Sequence, residues 1–344
     1  MKKNFLLLAV AILTALASNA ELSQSVVATL THGTTVTTYS GGNALQMAHN
    51  AAVDGDAIVL SPGTFNAVDI TKAITLRGAG CKALSLSDQE ITQAGTTYIT
   101  GNMTVNISST TDIFVIENCQ FSGQVKLSKA PATKVYKSYF NEIYIYPAVA
   151  SADFTHCYLN NYIAYNPYLC KSVSFLNSYI VGDYFNPYIK ATNCVLRTGY
   201  YQCWNYNDQY VTSAEGGIVE NCIFVYSGTS SSANNLSAYT QARNCVAVSF
   251  SSVGFNNFFR YSANGNNHVV NVDNLLSDKS WPYTLTETAA ITYLGGDGTQ
   301  VGIHGGPLPF DPIPDNLLVT TCNIASKTTV DGKLSVEIKV STIK

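Results

Sequence analysis

The chain has 344 residues, a net charge of −3 and only 12% charged side chains, about half the share usual in globular proteins. With 46% hydrophobic residues it can bury a large core, and with no basic stripe it is not built for nucleic acid. Tyr, Asn, Ser and Thr supply the polarity, a surface chemistry of hydroxyls and amides that suits neutral or sugar-like material.

Residues 1–20 read as a signal peptide. Lys2 and Lys3 open it, "FLLLAVAILTALA" is its apolar run, and Ser18-Asn19-Ala20 offers a cleavage site of small residues. A membrane-spanning helix needs about 20 apolar residues, and no later stretch supplies them. The expectation is an exported protein (periplasmic, outer-surface or secreted) with no transmembrane segment in the mature chain. Next, "NALQMAHNAAVDGD" carries Asn43 as a helix cap, an Ala/Leu face and Gly55 where a helix stops. It predicts a short helix sealing the start of the fold, followed by first strands in "AIVLSPGTF" and "AITLRGAG".

A repeat then begins. "IENCQF", "YKSYF", "THCYL", "LNSYI", "TNCVL", "ENCIF" and "RNCVA" each place a small polarisable residue one spacer before an apolar one. The small residue is Cys119, Ser138, Cys157, Ser178, Cys194, Cys222 and Cys245 in turn, and spacings of about 20 residues indicate a solenoid. Leucine-rich repeats need further leucines and a helical back, which "YIKATNCVL" lacks. Short β-branched or aromatic strands followed by Gly or Asn indicate a parallel β-helix.

In such coils the slot residue points inward, the next outward, and Phe121, Phe140, Leu159, Ile180, Leu196 or Phe224 inward again. A slot that accepts Cys or Ser demands a small side chain, so these thiols are expected free and buried. Cys170 and Cys203 lie outside the slot and are the pair to test for a disulfide. Asn118, Asn177, Asn193, Asn221 and Asn244 precede the slot, where a corner requires a left-handed backbone. A metal-binding reading of this Asn column fails because no Asp or Glu recurs with it. At the end, "LLVTTCNIA" and "KLSVEIKVS" around Asp331-Gly332 predict a strand pair. The predicted organisation is a signal peptide over 1–20, a β-helix with its N-terminal cap over 21–316, and a strand pair or tail over 317–344.

With "GDAIVLSPGTF", "ITKAITLRGAG" and the Asn-Cys-x-Phe corners, the chain resembles the pectin-lyase-like right-handed β-helix family. "GGDGTQVGIHGGPLPFDP" with "DGKLSVEIKV" also resembles β-helix surface proteins of Gram-negative bacteria. The resemblance covers roughly residues 40–344 and implies an all-β solenoid, with any polysaccharide groove along the sheet after the Gly/Asn corner.

That sheet is rich in tyrosine. Tyr144, Tyr146, Tyr162, Tyr184, Tyr200 and Tyr201, with Trp204 beyond, form either a purely structural ladder or a platform for sugar rings. A glycosidase needs two carboxyls about 5–5.5 or 6.5–9.5 Å apart. The candidates here are Glu142 and Asp183, placed roughly 10 Å apart by coil stacking, with Asp208 and an outward-facing Arg197. Each also reads as a solvated corner charge, and His156 as a corner residue. "GIHGG", around His304, is expected in the last coil and is not the Gly-His-Gly of the family's hydrolases. "LGGDGTQVG" resembles glycine-rich Ca²⁺ repeats but occurs once and lacks their Asp spacing, so no cofactor is expected, with Ca²⁺ as the alternative. Three functions follow: a non-catalytic binder of a polysaccharide or cell-surface glycan, a polysaccharide lyase or glycoside hydrolase with an atypical acidic site, or a structural or adhesin module.

Overall fold

The computed structural model describes residues 26–86, 91, 95–164, 172–184, 188–198, 216–228, 236, 238, 240–250, 258–314, 317–324 and 336–342. They form a parallel β-solenoid of about eight turns, mostly strand with few helices. The strands stack on three walls, the third described in the earlier coils. The first wall stacks segments such as Thr75–Arg77, Phe114–Glu117, Val173–Leu176, Lys190–Thr192, Ile218–Glu220 and Gln241–Arg243. The second runs from Thr97–Thr100 through Val195–Thr198, Ile223–Tyr226 and Val246–Ser249 to His268–Asn271. The third includes Met103–Asn106 and the middle of two long bent strands, Gln120–Tyr136 and Tyr139–Thr155.

From Asn118 onward the chain turns between first and second walls through a left-handed residue: Asn118, Lys137, His156, Asn177, Asn193, Asn221, Asn244 and Asn266, with φ between 42° and 56°. Asn dominates because it tolerates this backbone best among residues with side chains.

The slot residue follows, and all seven from Cys119 to Cys245 have 0% exposure. The six cysteines with described side chains, Cys81 and the five slot thiols, are free. The slot needs more than small size. Each slot heteroatom donates to the carbonyl two residues back, as Ser138 Oγ does to Tyr136 O at 2.8 Å and Cys222 Sγ to Glu220 O at 3.1 Å. At several levels it also accepts the backbone N–H of the previous slot: Cys119 N to Ser138 Oγ at 3.2 Å, Cys157 N to Ser178 Oγ at 3.0 Å, Cys194 N to Cys222 Sγ at 3.2 Å. Asn267 Oδ1 ends the ladder by accepting from Cys245 N at 2.9 Å. Beside it the core stacks rings, Phe121 on Phe140 at 4.8 Å and Phe154 on Phe175 at 5.2 Å.

Both mouths are covered. Helix α1, Ala44–Ala51, buries Ala44, Leu45, Ala48 and His49 over the first coil, although the Asn43 side chain makes no capping bond. Ahead of it lies an antiparallel hairpin, Val27–His32 with Thr35–Ser40, whose first strand joins Ala57–Leu60. Its alternating "VATLTH" and Gly33 are strand and turn signals that the sequence reading passed over. The far mouth is plugged by Phe258 and Phe259, whose rings pack on Phe224 at 5.0 and 5.8 Å.

The coils end at Asn271, so they stop well short of residue 316. Residues 272–314 form a strap that runs back along the outside of the solenoid. Gly296 N donates to Asn221 Oδ1 (3.0 Å) and Gly302 N to Asn221 O (2.8 Å). Asn177 Nδ2 donates to Ile303 O and Gly305 O at 2.9 and 2.7 Å, and His156 Nε2 bonds Leu308 O at 3.1 Å. Lys137 Nζ reaches Asp311 Oδ2 at 3.1 Å and Ile313 O at 2.6 Å. The strap thus descends the Asn corner coil by coil, and "GIHGG" belongs to it, not to a last coil. Gly306 has φ +81°, and a Cβ there would lie 2.0 Å from Asn193 Nδ2, which is why a residue without a side chain stands at this crossing.

The strap buries the outer face of the second wall. Val195, Ile223, Val225, Val246 and Val248 point away from the solenoid interior yet are at most 1% exposed, packed with Val301, Ile303 and Phe310 of the strap. Covering each such side chain is worth about 1.5–3 kcal/mol. The strands Leu317–Ile324 and Val336–Thr342 pair antiparallel in a separate two-stranded sheet. Their last described register pair is Ile324 with Val336, and the expected turn at Asp331-Gly332 lies outside the described residues.

Candidate functional site

Among the described residues, no element packs over the outer faces of walls one and three. The first carries paired charges and hydroxyls: Arg77 with Glu117, Ser174 with Asp153, and Arg243 with Glu220 at 3.1 Å. The third carries the tyrosines. Ile143 and Ile145 point into the core while Tyr144 and Tyr146 point out, half-buried. Backbone register makes Thr104, Lys126, Tyr144, Ile163 and Tyr184 one continuous row.

Glu142 organises this face. Its carboxylate accepts from Gln124 Nε2 at 2.9 Å, from the Tyr144 hydroxyl at 2.8 Å and from Asn161 Nδ2 at 3.2 Å, tying three coils together. Partial burial and the neighbouring Glu142 raise the Tyr144 phenol above its usual range. Tyr144 is therefore a neutral ring clamped at its hydroxyl, with its orientation set before any ligand arrives. Gln124, Lys126 and Asn161 are partners the sequence reading missed. Their signal was register: each lies in a coil next to Glu142 or Tyr144.

Tyr162 is corrected. It is buried at 0%, because its register partner is Ile143, an inward position, and its ring packs edge-on against Phe175 at 5.4 Å. Ile163 takes the outward place. Asp183 does not share a column with Glu142: Tyr162 pairs with Gly182 and Ile163 with Tyr184, leaving Asp183 as the extra residue of a bulge. The side chains of Asp183 and Tyr184, and residues Tyr200, Tyr201, Trp204, Asp208, Cys170 and Cys203, lie outside the described residues.

Arg197 faces outward, as expected, but on the strap-covered second wall. There a tyrosine ladder does exist, one wall away from the expected place. Tyr139, Tyr158 and Tyr179 stand on successive coils with ring centroids 5.1 and 4.6 Å apart, and Tyr283 and Trp281 of the strap close over them. Burial pushes the Tyr158 phenol up to about 12 and raises Tyr179 as well. Arg197 Nη1 donates to Tyr179 OH at 3.3 Å and Nε to Ser227 Oγ at 3.4 Å.

Among the described residues no group of three His, Cys, Asp or Glu is placed to hold a metal, and no helix is long and apolar enough to cross a membrane. The carboxylate of Asp297, within "LGGDGTQVG", accepts from Thr299 N and Oγ1 to close a turn. An open depression near the far end, lined by Arg243, Asn244, Arg260, Tyr261, Asn264 and Asn266, holds no carboxylate and so no acid–base pair. The chain matches no family model, no curated protein and no solved structure.

Proposed function

We propose that this is an exported, non-catalytic β-helix protein that binds a polysaccharide or cell-surface glycan on the outer face of its third wall. The observation that carries the reading is the row around Tyr144: two outward aromatic rings, Tyr144 and Tyr146, beside amides and a carboxylate already fixed by Gln124 and Asn161. Aromatic faces stack on the apolar faces of sugars, and clustered amide and hydroxyl groups satisfy their hydroxyls. A binder is favoured over a hydrolase because Glu142 spends its hydrogen-bonding capacity on neighbours, and Asp183 stands in a bulge outside its column. The corner pattern and coil architecture support a relationship to the pectin-lyase-like family, and the "FLLLAVAILTALA" leader supports export.

The test is a glycan array probed with the wild type and with Tyr144→Ala and Tyr146→Ala. Loss of one ring should weaken binding by about 1–2 kcal/mol while leaving the melting temperature nearly unchanged. Release of reducing or unsaturated sugar products by the wild type would favour an enzyme instead. An array on which nothing binds, or binding indifferent to both substitutions, would remove the reading.

A further inference from the structure

One charge on the second wall is out of place. Backbone register makes Val181, Arg197, Val225, Val248 and Val270 a single outward column, valine at every level except one. Val225 and Val248 are fully buried beneath the strap, so packing alone would select another valine at 197. A guanidinium there is partly desolvated, which costs free energy unless a partner of opposite charge compensates it. None of the described carboxylates pairs with it. Its two hydrogen bonds are long and go to neutral hydroxyls, Tyr179 at 3.3 Å and Ser227 at 3.4 Å. Nor can the phenols supply the missing charge near neutral pH, since burial holds Tyr158 and Tyr179 protonated. The packed rings of Tyr158, Tyr179, Tyr283 and Trp281 meanwhile make a rigid support beside it.

From this misfit we infer that the Arg197 guanidinium is a binding site for an oxyanion group on a ligand, a carboxylate or a sulfate ester. A guanidinium presents paired donors in a planar fork that matches the two oxygens of such a group. The Tyr179 and Ser227 contacts fix Nη1 and Nε, and half-buried Ser227 is itself anchored by donating to Thr198 O at 3.1 Å, leaving Nη2 without a hydrogen bond to the described residues. This site lies on a different wall from Tyr144, goes beyond the glycan reading and does not rest on it.

The experiment is calorimetric titration of the full mature chain with sodium glucuronate, glucose 6-sulfate and neutral glucose at constant ionic strength, using wild type, Arg197→Met and Arg197→Lys. Wild type should bind one or both anions at least about tenfold more tightly than glucose, and the two anions separate carboxylate from sulfate preference. Arg197→Met keeps the apolar stem, so it should lose the anion preference while melting at or above the wild-type temperature. Arg197→Lys keeps the charge without the fork and should fall between. A wild type that does not prefer an anion, or an Arg197→Met chain that binds like wild type, would overturn the inference. So would an Arg197→Met chain that melts lower than wild type, because Arg197 would then be a packing residue. The Tyr144 and Tyr146 variants report on the glycan reading separately, since neither touches Arg197.

Discussion

Cys222 offers the sharpest test of how the coils are held. Its side chain is fully buried; it accepts the backbone N–H of Cys194 at 3.2 Å and donates to Glu220 O at 3.1 Å. Cys222→Ser keeps both roles in a smaller atom, and Ser138 and Ser178 already play them four and two coils away. Cys222→Ala keeps the small size but strands the Cys194 N–H in the core. An orphaned buried donor costs about 1–3 kcal/mol, so the Ala variant should be less stable by that amount, and the Ser variant clearly closer to wild type. Cys222→Leu also loses the acceptor and adds an overpacking cost of about 1–3 kcal/mol. Urea denaturation followed by circular dichroism measures all three on one scale. If Ser and Ala destabilise equally, the slot selects for size and sulfur packing alone, and the hydrogen-bonded ladder has no energetic role. The described thiols should ignore a thiol reagent until the chain unfolds, because burial pushes Cys119 and Cys157 up to about 12 and shields them from attack.

Further expectations follow from the strap and the tyrosines. Gly306→Ala, with φ +81° and a Cβ 2.0 Å from Asn193 Nδ2, should cost about 1–3 kcal/mol and make the 295–314 segment the first site of limited proteolysis; a melting curve equal to wild type would contradict it. Asn177→Asp should destabilise more than Asn177→Ala, because it turns a double donor to Ile303 O and Gly305 O into a negative acceptor facing two carbonyls. The raised phenols of Tyr158 and Tyr179 fix the sign of an alkaline effect. In the unfolded chain they ionise near 10, but in the folded one only at higher pH, about 12 for Tyr158. The stability they contribute is complete below about pH 10 and is lost as pH rises through the folded values. Denaturation midpoints from pH 8 to 11.5, compared with a Tyr158→Phe variant, would show whether this decline follows these rings.

The architecture was legible because the repeat states its own geometry. Asn, a small hydrogen-bonding residue, a spacer and an apolar residue recur, and each maps to one place: corner, slot, outer face, core. Counting from the slot also places Tyr162, five residues after Cys157, where Ile143 stands five after Ser138, and so turns it inward. Reading Tyr162 as exposed came from weighing the residue type above the register. The bulge at Asp183 could not be seen, since the spacer between Gly182 and Tyr184 reveals its extra residue only through the backbone pairing. The strap was harder still. Its partners are separated from it by 126 residues at Asn177 and 174 at Lys137, and no local periodicity encodes contacts at that distance.

A trace of the strap was nevertheless present on the other side of the contact. A wall with solvent outside should alternate apolar and polar residues, whereas a wall covered on both faces reads as a continuous apolar run. The spacer after the slot is Gln120 in the first repeat, then Tyr139, Tyr158, Tyr179, Val195, Ile223 and Val246. The next outward position is Asn141 and Asn160 in the early coils, but Val181, Val225 and Val248 in the later ones. Both columns change from polar or amphipathic to aliphatic as the solenoid proceeds, and the aliphatic levels are those packed into the second core with the strap. The columns thus distinguish the walls: the third alternates cleanly at "EIYIY", whereas the second does not and is covered by the strap. Arg197 then stands out as the one cation in an aliphatic column, and Tyr144 as a ring on a face that no described residue covers. On that ground chemistry is sought at these two places, and the Asn corner is read as the seam where the strap is tied down.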